Sequence, residues 1–241
     1  MSTDDPAIDV VGLTRAFAGQ TVVQGVTMQV APGDIIGLVG ANGGGKTTTL
    51  RMISGLLRPT TGSGQVLGRN VMQPARAHRS AIGYMAQSIA LYPDLTVAEN
   101  LMFRARLHCC ADPHAAIAMV VADCKLSTVL PMRVAHLSGG WARRVQFAAT
   151  IIHRPCLLLL DEPTAGLDVV TRHDIWEWVV RLSARGCAVL VSTHDLAEAE
   201  RCPAIIHYHN GIAEGPFSPA AFVREAGADS LEAAVIKGAR A

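Results

Sequence analysis

Residues 34–53 read DIIGLVGANGGGKTTTLRMI, and they contain the strongest motif in the chain. A short apolar run closes on glycine at position 40, a glycine-rich loop follows, and the residues from Lys46 onward have helical character. The segment 40–47 fits the pattern G-x-x-x-x-G-K-T, in the strand–loop–helix setting that distinguishes a P-loop from a chance turn. The glycines let the backbone wrap around phosphate oxygens, Lys46 would contact the β- and γ-phosphates, and the Thr47 hydroxyl can bind Mg²⁺.

Two acidic residues stand at the end of a second apolar run. LLLLDEP (157–163) is typical of a buried strand, and it closes on Asp161 and Glu162. Ligands bind in the crevice at the carboxyl ends of parallel strands, where Asp161 can hold the water shell of Mg²⁺ and Glu162 can take a proton from an attacking water. The alternative is that the two acids cap the next helix, which the presence of a P-loop disfavours.

Two other strand-like runs end on polar residues. VLVSTHD (189–195) carries His194 after its apolar part, and IGYMAQ (82–87) ends on Gln87. A lone histidine is more often a structural imidazole than a catalytic group. The expected position of His194 beside Asp161 and Glu162 instead predicts that His194 contacts a γ-phosphate. The Gln87 amide can touch both a metal ion and a water molecule.

The composition excludes several classes of protein. The chain has 241 residues, of which 50% are hydrophobic and 17% charged, enough for one large folded domain or two small ones. The formal net charge of +1 gives no basic field, which argues against direct nucleic-acid binding. The polar, acidic start is unlike a signal peptide, and the longest apolar runs have only strand length. We therefore expect a cytoplasmic chain without a membrane span.

The six cysteines include no CxxC pair, and HCC (108–110) lacks a second half at metal-ligand spacing. Buried, reduced thiols are the favoured interpretation.

Along the chain, strand-like and helical stretches alternate, which predicts a mostly parallel sheet covered on both faces. Residues 8–30 suggest two strands, residues 95–135 have helical character, and about the last 25 residues suggest a loosely packed helix or a frayed tail.

A second glycine-containing motif, LSGGWARRV (137–145), has a serine and two glycines at a predicted helix start, where free N–H groups and the helix dipole favour phosphate. Together with the P-loop, Gln87, LLLLDEP, AGLD and STHD, and in this order, the motif resembles the ATP-binding cassette (ABC) ATPases. The resemblance covers residues from about 8 to 215, and LSGG separates this family from other P-loop proteins.

The resemblance implies an α/β fold: a P-loop NTPase (RecA-like) core with a mostly parallel sheet, an antiparallel β subdomain and an inserted α-helical subdomain. A single ABC ATPase domain would cover residues 1–220, followed by a short tail at 221–241. Within the domain, the RecA-like core would comprise residues 1–87 and 150–215, and the helical subdomain about 88–149.

The resemblance also implies which residues serve the chain's own ATP and which serve the ATP of a partner. In the family two cassettes pack head to tail, so Ser138, Gly139 and Gly140 would close over the ATP of a partner, with Asp168 along the same interface. Phe17 would stack on adenine, although a core phenylalanine is the alternative. Catalytic roles would fall to Glu162, His194, Gln87 and Lys46, and Mg²⁺ binding to Thr47, Gln87 and Asp161. The phosphate-binding residues would be Gly40, Ala41, Asn42, Gly43, Gly44, Gly45, Lys46, Thr47 and Thr48.

Two positions depart from the family pattern. Trp141 stands where glutamine or methionine is usual, and Ala165 where the family often has serine. Neither change removes a catalytic group, so the resemblance implies an active ATPase that uses ATP and Mg²⁺.

The chain resembles the ATPases of ABC-2-type exporters in the sequence of two segments, RMISGLLRPTTGSGQVLG and YPDLTVAENL. This implies a dimer with a second copy or a related cassette, bound to a separate membrane-spanning permease at the inner face of the cell membrane. A groove for the permease would be lined by Leu91, Tyr92, Leu95, Val97 and Leu101, unless these form the subdomain core. The alternative function, an ABC ATPase acting on a nucleic acid or ribosomal complex, would need a coiled-coil insertion or a second fused cassette, and the sequence has neither.

Overall fold

A computed structural model describes residues 5–73 and 80–238, and within these residues ten strands form one sheet. The strand order is β5-β4-β1-β2-β10-β9-β3-β8-β7-β6. The strands are β1 (Ile8–Phe17), β2 (Gln20–Val30), β3 (Ile35–Gly40), β4 (Thr61–Val66), β5 (Arg69–Asn70), β6 (Ile82–Met85), β7 (Leu157–Asp161), β8 (Ala188–Thr193), β9 (Ala204–His209) and β10 (Ile212–Phe217).

Two kinds of strand pairing divide this sheet. The five strands β9, β3, β8, β7 and β6 are parallel neighbours. The strands β5, β4, β1 and β2 pair antiparallel, and β10 joins the two regions. The predicted fold class, with its mostly parallel core, antiparallel β region and inserted helices, is confirmed.

Helices cover the parallel strands and form the insertion between β6 and β7. They are α1 (Lys46–Ile53), α2 (Val97–Leu107), α3 (Pro113–Asp123), a 3-10 turn (Val134–His136), α4 (Gly139–Ile151), α5 (Val169–Ser183), α6 (Leu196–Ala199), α7 (Pro219–Glu225) and α8 (Leu231–Gly238). Side chains fix where several of them begin: the Thr96 side chain caps α2 in a capping box with Glu99, and Asp112 caps α3, which starts with proline. None of the helices in the described residues is long and apolar enough to cross a membrane.

The central strands are apolar throughout because both of their faces are buried. Successive β7 residues point to opposite faces: Leu158 and Leu160 join the core under the inserted helices, and Leu157 and Leu159 join the core around α1 and the antiparallel strands. All four are fully buried. The polar residues that follow such strands are therefore held at one edge of a rigid sheet.

The structure shows which apolar residues of the helical insertion and which cysteines are buried. Val97 and Leu101 are fully buried, so for these two residues the alternative of a subdomain core holds and they do not line a surface groove. All six cysteines are free, but only Cys124, Cys187 and Cys202 are buried. Cys156, immediately before β7, is exposed, whereas Cys187, immediately before β8, is buried.

The C-terminal segment is helical as far as it is described. Phe222 of α7 and Leu231 and Ala234 of α8 are buried in the same core as β7 and β8, so residues 219–238 are not a frayed tail. The predicted domain end at 220 falls inside α7. Residues 239–241 of the predicted tail lie outside the described residues, as do residues 1–4 and 74–79 of the predicted core.

Candidate functional site

The P-loop joins β3 to α1 at the carboxyl edge of the parallel strands. Gly40 has φ +149°, and a Cβ there would lie 2.1 Å from the backbone oxygen of Tyr208, so close packing against β9 requires glycine at this position. The chain then turns into α1, whose first residue is Lys46. This arrangement leaves the amino end of the helix facing the loop, as phosphate binding requires.

Lys46 is only 5% exposed, although it carries a charge. Its Nζ donates hydrogen bonds to the backbone oxygens of Gly40 (2.6 Å) and Ala41 (2.9 Å). Burial lowers the pKa of Lys46, and the negative charges of Glu162 and Asp161 oppose that shift. The ammonium group is thus held inside the loop, ready to contact an anion.

A cavity of about 360 Å³ opens at the P-loop. It brings together residues from the loop, from α1 and from the ends of β6 and β7. Its lining residues are Val22, Asn42, Gly43, Gly45, Lys46, Thr47, Thr48, Gln87 and Glu162.

Asp161 ends β7, next to the cavity-lining Glu162, and is 2% exposed. Its Oδ1 accepts hydrogen bonds from the hydroxyls of Thr47 (2.9 Å) and Ser192 (2.7 Å). Hydroxyl and carboxylate oxygens are the ligands that Mg²⁺ prefers. This donor set therefore fits a magnesium ion beside Lys46.

Glu162, the next residue, is 8% exposed and has φ +48°. Its two carboxylate oxygens have different partners: Gln87 Nε2 donates to Oε2 (2.9 Å), and His194 Nδ1 lies 3.1 Å from Oε1. The structure thus brings Lys46, Gln87, Glu162 and His194 together, as the sequence predicts. A carboxylate held in this way can accept a proton from a water molecule.

Arg143, which sequence reasoning missed, organises the backbone behind the acids. This α4 residue is 4% exposed, and its guanidinium donates to the backbone oxygens of Ala86, Gln87 and Pro163 at 2.7–3.0 Å and also to that of Glu162. Burial lowers the pKa of Arg143 while Asp161 and Glu162 oppose that shift. The sequence carries no clear signal for this role, because Arg143 beside Arg144 resembles a solvated basic helix surface.

The LSGG motif forms a different cavity, of about 530 Å³. Ser138 caps α4 by accepting a hydrogen bond from the Trp141 amide (3.4 Å), and Asp168 caps α5 by accepting from the amide (2.9 Å) and hydroxyl (2.7 Å) of Thr171. These bonds lower the pKa of the Asp168 carboxyl. Among the described residues, the cavity shares no lining residue with the P-loop cavity; it is lined by Ser138, Gly139, Gly140, Trp141, Arg144, Gly166, Leu167, Asp168, Val170 and Thr171.

Phe17 lies at the β1–β2 turn, 43% exposed, with the Arg15 guanidinium 4.4 Å from the centre of its ring. It is thus not a core phenylalanine. Within the described residues it does not line the P-loop cavity, and its adenine contact stays a prediction. Trp141 stacks under Arg144 at 5.1 Å, and Ala165 is exposed.

Comparison with known proteins gives one consistent family. The family model described as "ABC transporter" matches residues 23–165. A relative named "Nod factor export ATP-binding protein I", from Paraburkholderia xenovorans, is 38% identical over 234 residues, which cover 95% of this chain and 76% of the relative. A protein of the same name from Bradyrhizobium diazoefficiens is 39% identical over 220 residues, covering 89% of this chain and 72% of that protein.

Solved structures agree with this fold. A chain described as "Structure of ATP binding subunit of ABC transporter" has a TM-score of 0.87 and 28% identity, covering 96% of this chain and 98% of that one. The cassette MJ0796, described as a dimer in a post-hydrolysis state with ADP and Pi, has a TM-score of 0.78 and 24% identity, covering 89% of this chain and 98% of that chain.

Proposed function

The chain belongs to the ABC transporter family, and from this membership we propose that it is the ATP-hydrolysing subunit of an ABC-2-type exporter. It works as a head-to-tail dimer with a second copy or a related cassette. A separate permease holds it at the inner face of the cell membrane and selects the substrate. The name of the similar proteins, which describes an ATP-binding protein for Nod factor export, supports this assignment.

The observation that carries the proposal is the position of Glu162 between Gln87 and His194 at the mouth of the P-loop cavity. Glu162 accepts a proton from the water that attacks the γ-phosphate of ATP. Gln87 and His194 hold its carboxylate in place, and His194, whose side chain is 51% exposed, also reaches the γ-phosphate.

Lys46 contacts the β- and γ-phosphates when ATP enters, exchanging its bonds to two backbone oxygens for bonds to phosphate. Thr47, Gln87 and Asp161 would hold a magnesium ion, whose positive charge would offset the negative charge that develops on the phosphate oxygens. Phe17 supports the adenine ring from the β1–β2 turn.

The second cavity serves the partner's ATP. Because Ser138, Gly139 and Gly140 line a cavity separate from this chain's own P-loop cavity, they are free to close over a nucleotide held by another copy. Val169 and Val170, beside Asp168, are 79% and 68% exposed, which fits a surface that a partner covers. The dimer described for the similar cassette MJ0796 also supports this arrangement.

The permease docks on the helical insertion. Large apolar side chains are exposed there: Tyr92 (48%) contacts Phe103 (40%) edge-on, and Leu107 is 58% exposed. Leu56 lines one cavity of about 300 Å³ together with Leu107, which extends the apolar surface towards α1. Exposed apolar clusters of this kind mark protein interfaces.

Affinity purification of the tagged protein from its native membranes in mild detergent tests the transport role. A co-purifying protein with several membrane spans is the expected result. Recovery of ribosomes or DNA-bound factors would overturn it and favour the alternative of a non-transport ABC ATPase. A Tyr92→Asp/Leu107→Asp variant should lose the membrane partner but keep ATP binding, because neither residue lines the P-loop cavity.

A further inference from the structure

Two histidines and a glutamate converge on the last strand pair, away from the nucleotide site. His207 and His209 are two residues apart on β9, so their side chains share one face of the strand. Glu214 on β10 pairs directly with His207 in the antiparallel register, which brings its side chain to the same face. One ligand atom from each of the three residues lies within 4.8 Å of the other two.

His207 is an unusual core residue. It is 0% exposed, and neither its Nδ1 nor its Nε2 has a hydrogen-bond partner in residues 5–73 and 80–238. His209 Nδ1 is likewise buried without one there. Buried polar atoms are ordinarily paired, because burial removes their bonds to water. Two neighbouring imidazoles with unpaired buried nitrogens therefore point to a ligand that accepts nitrogen lone pairs.

The His207 ring is covered by helices on one side, and the cluster borders solvent on the other. Phe222 lies 5.1 Å from the His207 ring, and a Cβ at Gly238 would come within 2.7 Å of its Cε1, so α7 and α8 cover the ring from one side. Glu214 is exposed and opens the cluster on the other side.

We propose that His207, His209 and Glu214 form a binding site for a divalent transition metal ion of the Zn²⁺ class. Two imidazoles and one carboxylate are a donor set that suits zinc, whereas magnesium and calcium prefer oxygen ligands. Three protein ligands leave a fourth tetrahedral position to water from the Glu214 side. This site is independent of the ATPase function proposed above.

An ion at this site would have a structural effect. The ion would join β9 to β10 underneath the two C-terminal helices. Tyr208, the residue between the two histidines, has its backbone oxygen against Gly40 of the P-loop. Metal binding therefore stabilises the strand that supports the phosphate-binding loop. A ligand that binds only the folded state raises the melting temperature.

Cobalt titration of the full chain tests the proposal. The purified protein is stripped with a chelator, its accessible thiols are alkylated so that Cys109 and Cys156 cannot bind metal, and Co²⁺ is added while the visible spectrum is recorded. We expect one equivalent to bind with the absorption bands of tetrahedral cobalt, Zn²⁺ to displace it, and the melting temperature to rise.

The variants His209→Ala and Glu214→Gln identify the ligands, since both positions lie outside the core and tolerate change better than His207. Each should weaken binding at least about tenfold. The matched control is His173→Ala, which removes an exposed histidine 3.4 Å from Glu177 and should leave binding unchanged. Cobalt binding that survives in the His209→Ala/Glu214→Gln double variant, or an absence of binding in the unsubstituted chain below about 100 µM Co²⁺, would overturn the proposal.

Discussion

The side-chain amide of Gln87 donates a 2.9 Å hydrogen bond to the carboxylate of Glu162. Gln87 follows β6, where the helical insertion begins, and Glu162 follows β7, so one bond joins the insertion to the proposed general base. Arg143, from α4 of the insertion, contacts the backbone of both residues. Under the function proposed above, a permease that moves the insertion would act directly on the position of Glu162 through these contacts.

Replacing Glu162 by glutamine should separate ATP binding from hydrolysis. Glu162→Gln keeps the shape of the side chain but removes the proton acceptor, so turnover should fall about 10²–10⁴-fold. Phosphate release measures the rate, and gel filtration with ATP should show an accumulated dimer. The exposed acid Glu200 provides the control Glu200→Gln, which should hydrolyse normally. A Glu162→Gln protein with unchanged turnover would show that another group takes the proton.

Ser138→Arg tests the separation of the two cavities. The bulky cation should block closure over a partner's nucleotide and abolish hydrolysis, while fluorescent ATP should bind the monomer with nearly unchanged affinity. Ser127→Arg, at another exposed serine, should leave both ATP hydrolysis and ATP binding unchanged. If Ser138→Arg instead prevents nucleotide binding to the monomer, the LSGG motif belongs to this chain's own site.

Arg143 should be a large contributor to stability as well as to geometry. Arg143→Met leaves several buried backbone oxygens without a donor, which should lower the free energy of unfolding by about 3 kcal/mol. Arg143→Lys should recover only part of this loss, because one ammonium group cannot reach all the acceptors. Urea unfolding checks both, with the exposed Arg106→Met as the control. A loss no larger than that of Arg106→Met would refute this role.

His153 should make the protein less stable in acid. Its ring stacks on His108 at 3.8 Å, and burial, His108 and Arg104 lower its pKa to about 4. Between about pH 6.5 and 4 the unfolded chain takes up a proton that the folded protein does not, so stability falls as the pH falls through this window.

The variant His153→Phe keeps the stacked ring but does not titrate. On going from pH 6.5 to pH 4, the variant should lose about 2 kcal/mol less unfolding free energy than the unsubstituted protein. This difference is smaller than the full pKa shift would give, because His153 is only partly buried and solvent screens its charge. Urea unfolding at several pH values measures the difference, with the exposed His114→Phe as control. Equal losses in His153→Phe and the unsubstituted protein would show that His153 does not cause the acid effect.

The sequence predicts the parts of the site that are set by strand ends. Parallel strands finish at one edge, so Gln87, Asp161, Glu162 and His194 could be grouped from their order alone, and the structure brings them together. Which face of a helix turns inward is harder to predict: the sequence left Val97 either in a surface groove or in the subdomain core, and α2 packs it in the core.

Contacts across the fold were not visible in the sequence. Arg143 lies in a basic stretch that is ordinarily a solvated helix surface, and only the packing of α4 against the ends of β6 and β7 buries it. The cluster of His207 and Glu214 depends on the β9–β10 register, which residue spacing alone does not give.

Mixing two inactive variants shows whether each ATP is hydrolysed between two copies of the chain. Lys46→Ala disables the P-loop and Ser138→Arg disables the LSGG cavity, so each should be inactive alone. A mixed dimer contains one site with both defects and one intact site, and random pairing should restore up to about a quarter of the normal ATPase rate. If both motifs acted within one chain, the mixture would stay as inactive as its components, and a site shared between two copies would be ruled out.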